Sequence, residues 1–402
     1  MKKVILSLAL VAIATGAFAQ KKVVSSAEKN FKKGDLEIAL TEIDAALENP
    51  ETKDNPETPL LKARILTKKF GLDSTNVMST VETGRSALAQ FTKAMEMSGN
   101  DKEGKIGKEV YKEEIPDLPE NFKPYSMSTL KNETFNKAAV SYENEDMEMA
   151  YEFFNLMTEI DPTDTSSAFN TAFIANDLGK FEEAKKQFKK LIEVKEYNKL
   201  SSYYLLIQII SAEDKDPEEA YKYVTRARAD YPEDKTLSEF EVQLLLQMNK
   251  MDEAMASVKA ALASDPNNAG LLLRYGYLLE QSGDMDGALV EYKKSVVADP
   301  NFFEGNYYTG AIFLEQAKTI LGKINDLSDD EWEKNAPTMT KQAEGLYAEA
   351  VPYFEKGLSL RPENVEIMEI LYNVHVRLKN TAEVEKYNKM LVAKLGADWM
   401  EK

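Results

Sequence analysis

No cysteine occurs in the 402 residues. Disulfides, thiolate nucleophiles, zinc–thiolate sites and lipid attachment through an N-terminal cysteine are therefore excluded. Glycine and proline are scarce, at 18 and 14 residues, while Ala, Leu, Glu and Lys abound, a balance that favours helix over sheet. Positive charge is also short, with 50 basic residues against 68 acidic ones and a formal net charge of −18. Such a surface repels phosphate backbones and anionic lipid head groups, so no nucleic-acid partner is expected. The plainer consequence of the charge is solubility. Beyond the N-terminus no segment is apolar enough to span a membrane. What is present is 43% apolar and 29% charged residues, enough for a packed fold and too apolar for global disorder. The length exceeds what one compact core holds, which leaves several domains or a repeat array.

The first residues read as an address. Lys2 and Lys3 form a positive start, Val4–Ile13 an apolar run, and Ala17-Phe18-Ala19 an A-x-A cleavage signal before Gln20. The run is shorter than the roughly 20 residues a spanning helix needs, which favours a cleaved signal peptide over residues 1–19 rather than an uncleaved anchor. The expected destination is the bacterial periplasm, free or peripheral at the outer membrane.

A fixed period runs through the rest. Pro232, Pro266 and Pro300 stand 34 residues apart, and Asp265-Pro266 matches Asp299-Pro300. Asp161-Pro162 and Arg361-Pro362 flank them at less regular distances. Between the prolines a second pattern recurs. Gly276 and Leu279 lie on one expected helix, Gly283-Asp284 makes a turn, and Ala288, Tyr292 and Ser295 follow at steps of four and three. Ala150/Phe154/Met157, Ala184/Phe188/Leu191, Ala220/Val224/Ala227, Ala254/Val258/Ala261 and Ala39/Ile43/Ala46 repeat that spacing. A small residue on the first helix and Ala on the second let two helices approach closely, and the larger residue four positions on fills the gap on the same face. Glycine ends the first helix and proline stops the second. One such pair cannot bury its apolar face alone, so neighbours must stack.

By these residues the chain resembles the tetratricopeptide-repeat (TPR) family over nearly all its mature length. The resemblance implies an all-α fold, a TPR α-solenoid in which antiparallel helix pairs wind into a right-handed superhelix. Repeats are expected at 128–162, 163–196, 197–232, 233–266 and 267–300. A sixth uses Asn301–Lys318 and Ala343–Leu360, a terminal pair spans 363–396, and 397–402 is a tail. Degenerate pairs at 23–50 and 57–97 make up an N-terminal helical block, 20–97, ahead of the main array, 128–396. Two departures from the family pattern stand out: the usual tryptophan of the first helix is absent, and Glu241 occupies an apolar position.

Two segments interrupt the array. Residues 98–127, with Pro116, Pro119 and Pro124, are expected to separate the N-terminal block from the main array. Residues 321–342, with Asp329-Asp330-Glu331 beside Trp332, are expected to form a long loop. Each reads either as part of a binding face or as a tolerated surface loop.

Some chemistry-like patterns dissolve on inspection. Gly99, Gly104 and Lys105 match most of a phosphate-binding loop, but Ile106 stands where a Ser or Thr must reach magnesium and no strand precedes them. Asp284-Met285-Asp286-Gly287 begins like a calcium loop, but Ser295 takes the place of the closing glutamate. The single histidine, His375, falls at a packing position on the first helix of the last pair and reads as a structural residue. No catalytic residue, metal ligand or cofactor site is assigned.

In the TPR family, groove-facing residues come from the first helix of each pair. The resemblance places Phe169, Phe173, Tyr203, Leu273, Tyr277 and Tyr307 there, flanked by Glu280, Gln281, Glu304 and Glu315. Either these rings form an aromatic groove with an acidic rim, suited to an apolar helix or extended peptide, or several of them pack between repeats. A Lys/Arg clamp for acidic peptide tails is missing, which disfavours that partner class. The expected function is a non-enzymatic scaffold or adaptor that docks a protein partner whose identity no motif gives. The alternative is a glycan- or nutrient-uptake binding component of the cell envelope, against which the scarcity of tryptophan counts. An enzyme built on the acidic insertion lacks any nucleophile–base pair.

Overall fold

The computed structural model describes residues 22–75, 77–115, 119 and 122–401. The expected signal peptide, 1–19, lies outside the described residues. Every regular element among them is helical, and the chain divides into two compact units at 209/210. No helix among the described residues is long and apolar enough to cross a membrane.

The first unit holds α1 (22–33), α2 (Leu36–Glu48), α3 (Glu57–Leu72), α4 (Met78–Met97), α5 (Lys105–Val110), α6 (Met127–Glu143), α7 (Met147–Ile160), α8 (Thr165–Asp177), α9 (Phe181–Leu191) and most of α10 (Leu200–Ala212). The second holds α11 (Pro217–Asp230), α12 (Lys235–Gln247), α13 (Met251–Ser264), α14 (Ala269–Gln281), α15 (Met285–Ala298), α16 (Phe303–Asn325), α17 (Asp329–Leu360), α18 (Val365–Arg377) and α19 (Thr381–Leu395), then a 3-10 turn at Trp399–Glu401. Within each unit, successive helices pack antiparallel, as the repeat pattern predicts.

Local chemistry fixes the helix ends. Asp146, Asp216, Asp234 and Asp284 and Asn268 and Asn364 cap α7, α11, α12, α15, α14 and α18 by accepting backbone N–H bonds of 2.8–3.2 Å. Pro162, Pro232, Pro266, Pro300 and Pro362 each follow the end of a helix by two residues, where proline's missing N–H costs nothing. Turns within pairs need one residue at positive φ. Gly34, Gly179 and Gly283 serve in three of them, whereas Glu145, Asn249 and Lys379 adopt φ values of 60°, 57° and 56° without glycine's freedom. There the next amide closes the helix by reaching back five residues, as Asp146 does to Ser141 (2.9 Å) and Asn380 to His375 (3.0 Å).

The core follows from the alternation of small and large side chains. Ala150, Ala184, Ala254, Ala288 and Ala350 are buried, and Phe154, Phe188, Val258, Tyr292 and Phe354 four residues on are buried beside them. Glycines on the facing helices leave room for the rings. A Cβ at Gly276 would sit 2.5 Å from the Tyr292 ring, and one at Gly310 would sit 2.7 Å from the Phe354 ring. At the discordant position, Glu241 pairs with Arg228 at 2.9 Å and accepts from Ser257 at 3.0 Å, so the charge is met inside the second unit.

The segment 98–127 folds back on its own unit. Ile106 and Val110 of α5 are buried, Glu109 pairs with Arg64 of α3, and Ser126 donates to the Lys112 carbonyl at 2.6 Å. Across it α3 and α4 pack directly on α6 and α7. Phe70 meets Phe153 edge-on at 6.2 Å, and Arg85 reaches Glu152 (3.0 Å) and Glu159 (3.2 Å). The N-terminal helices thus share a core with the first repeat instead of standing apart from it.

The expected loop at 321–342 is not a loop. It lengthens both helices of its pair, α16 to 23 residues and α17 to 32, with only Asp326–Ser328 between them. The acidic run is the helix start: Ser328 Oγ donates to Glu331 at 2.6 Å, and Asp329, Asp330 and Glu331 fill the first turn, where the helix dipole favours them. Gly322 and Gly345 lie within these helices with no neighbour near a would-be Cβ. Replacing each by Ala is expected to raise stability in urea unfolding by about 0.5–1 kcal/mol. No gain at either position would contradict the helical extension.

Candidate functional site

Helices α6 and α8 are the first helices of successive pairs in the first unit. Phe135, Ala139 and Tyr142 fall at steps of four and three along α6, and Phe169 and Phe173 at a step of four along α8, so each set occupies one helical face. Together with Glu143, Phe154, Asn170 and Ile174 they line an open cavity of about 400 Å³. Phe169 and Phe173 stack at 6.3 Å and 19°, and Phe169 meets the buried Phe188 edge-on at 5.9 Å. The cavity wall is thereby fixed to the core of its own repeat. Phe135 is 51% exposed and Tyr142 is also exposed, an unusual state for such large apolar rings. Among the described residues Glu143 is the one charged side chain lining the cavity.

The six residues expected at a groove meet different fates. Phe169 and Phe173 come together at this cavity. Tyr203, one period after Phe169, is 0% exposed and belongs to the core, so the expectation that it faces a groove is corrected. Leu273 packs against the Ala288, Tyr292 and Ile312 cluster of the second unit. Tyr277 is half-buried on α14. Tyr307 is held between helices. Its ring meets Phe303, Tyr308 and Phe354, and its hydroxyl donates to Glu366 at 2.6 Å. Burial, then that bond, pushes its pKa up to about 12. The expected acidic rim is also engaged: Glu280 accepts from Tyr292 at 2.6 Å, Glu304 pairs with Arg361 at 2.7 Å, and Glu315 with Lys318 at 3.5 Å.

The sequence reading stopped one repeat short. Phe135 stands 34 residues before Phe169, as Ala139 does before Phe173, so the period itself marks both. The phosphate-loop pattern has a structural explanation: Gly99 (φ +76°) follows the end of α4, and Lys105 opens α5 and pairs with Glu57. Asp284 of the calcium-like pattern is the cap of α15.

Sequence profiles described as tetratricopeptide repeat match residues 166–198, 245–305 and 339–364. These spans fall on the helix pairs described above. The chain is a tetratricopeptide-repeat protein. No curated protein matches this TPR chain. Solved structures it resembles include YrrB, described as a TPR protein with an unusual peptide-binding site, at 18% identity over 54% of this chain and 96% of that one, TM-score 0.38. Another is MamA from Desulfovibrio magneticus RS-1, at 13% identity over 43% and 96% of the two chains, TM-score 0.38. A third is a tetratricopeptide repeat protein from Parabacteroides merdae, at 17% identity over 70% and 93%, TM-score 0.29. The TPR fold is in general a scaffold for protein–protein interaction.

If Phe135 belongs to a binding surface and Tyr203 to the core, their truncations must separate. Phe135→Ala is expected to cost less than about 1 kcal/mol in urea unfolding, and Tyr203→Ala about 3–5 kcal/mol. Equal costs would contradict the assignment of Phe135 to a free surface.

Proposed function

We propose that this TPR protein is a non-enzymatic adaptor that docks an apolar segment of a partner protein in the cavity between α6 and α8. The observation that carries this reading is the exposed aromatic wall of Phe135, Tyr142, Phe169 and Phe173 around an open cavity of about 400 Å³. That size lies within the roughly 300–1,000 Å³ of ordinary ligand pockets. Rigid rings set in an otherwise polar surface supply apolar contact at little entropic cost, the usual chemistry of a binding hot spot. Glu143 at the edge favours a partner whose apolar anchor is flanked by a basic residue. The A-x-A signal at Ala17-Phe18-Ala19 supports placing this activity outside the cytoplasm, in the periplasm.

A random peptide library displayed on phage and panned against the full mature chain tests the binding. Peptides with an aromatic or aliphatic anchor are expected to be enriched, and to bind the Phe135→Ser/Phe173→Ser variant at least tenfold more weakly. No enrichment, or affinity unchanged in that variant, would refute the proposed surface. Mass spectrometry of the chain from fractionated cells settles the export half of the reading: a mature N-terminus near Gln20 in the periplasmic fraction supports it, and an intact Met1 in the cytosol contradicts it.

A further inference from the structure

His375 sits in the last turn of α18 and is 4% exposed, yet neither ring nitrogen has a hydrogen-bond partner among the described residues. A buried polar atom left without a partner is rare in native proteins and calls for an explanation. The ring is held flat against Tyr387, with centroids 5.6 Å apart and planes 9° from parallel. Its orientation is therefore set by packing and not by any polar contact. Two carboxylates share its surroundings. Glu383 lies in the first turn of α19, across a short turn from His375, and Glu355 comes from α17. One ligand atom from each of the three lies within 4.8 Å of the others.

From this geometry we infer that Glu355, His375 and Glu383 form a binding site for a divalent transition-metal ion, with Zn²⁺ the best match. One imidazole nitrogen and two carboxylate oxygens are a donor set that suits Zn²⁺ and its neighbours, with solvent completing the shell. Calcium and magnesium prefer oxygen alone. Burial holds the imidazole below its ordinary pKa, so at neutral pH it keeps the lone pair a metal needs. Glu355 is exposed and Glu383 half-exposed, which opens the carboxylate side to an entering ion while the histidine forms the inner wall.

The other groups facing the site define its metal-free state. Lys386 Nζ lies 2.7 Å from Glu383, 4.0 Å from Glu355 and 3.3 Å from the Tyr387 hydroxyl, which donates to Glu355 at 3.2 Å. The lysine balances the carboxylates when no ion is present, and a bound cation displaces its ammonium. Because the three ligands come from α17, α18 and α19, the ion ties the last three helices of the second unit together. It binds only the folded chain and so stabilises it by mass action.

Calorimetric titration of the chelator-treated full chain with ZnCl₂, with MgCl₂ as control, tests the site. One Zn²⁺ per chain is expected, with the unfolding temperature raised by several degrees and no response to Mg²⁺. His375→Phe, which keeps a ring against Tyr387, and Glu383→Gln, at a half-exposed position, should each weaken Zn²⁺ binding at least tenfold. Lys386→Met should strengthen it by removing the competing cation. Zn²⁺ binding left unchanged by both ligand variants, or no binding up to millimolar metal, would overturn the assignment. If His375→Phe fails to fold, the Glu383→Gln and Lys386→Met shifts decide alone, since a purely packed histidine predicts no change in either.

Discussion

The structure depends on one steric arrangement, a large ring from the second helix of a pair pressed against a position on the facing helix that carries no side chain. Tyr292 fills the space above Gly276, and Phe354 the space above Gly310. The contact sets how closely the two helices approach, and hence how much apolar surface each pair removes from water. It also sets the length of the repeat, because the ring must return to the same height on every pair. Caps, positive-φ turns and the proline two residues past a helix end all serve to bring the chain back into that register.

With the second helices committed to the core, function is left to the first helices and to places where the pattern is interrupted. The wall of Phe135, Phe169 and Phe173 is built on two such first helices and is anchored from behind by Phe188. The lengthened pair α16 and α17 brings Glu355 on its second helix to the His375 ring of the next pair. Neither feature needs a change in the repeat itself. Each uses side chains that the packing leaves unassigned.

Much of this is legible in the sequence. The prolines 34 residues apart, the Ala-to-ring spacing and the discordant Glu241 all lie where the pattern puts them. The illegible parts share a physical cause, since a single chain does not display which neighbour a residue meets. Glu145, Asn249 and Lys379 take the left-handed conformation because the tertiary fold closes the turn, and no glycine announces it. Tyr203 and Phe135 occupy the same repeat position, and only their surroundings bury one and expose the other. His375 meets Glu355 and Glu383 through packing of three helices, a juxtaposition with no spacing signature. The helical extension at 321–342 was more readable: Ser328-Asp329-Asp330-Glu331 is a capping box, and it marks a helix start where charge and length suggested a loop.

A double-mutant cycle on Gly276 and Tyr292, followed by urea unfolding, tests the central arrangement most directly. With Tyr292 in place, Gly276→Ala should destabilise the protein by roughly 1–3 kcal/mol, since the new methyl overlaps a buried ring. In a Tyr292→Ala background the same change should turn stabilising, by up to about 1 kcal/mol, because only the helix preference for alanine remains. The account requires this reversal of sign. A Gly276→Ala effect of the same sign and size in both backgrounds would contradict it.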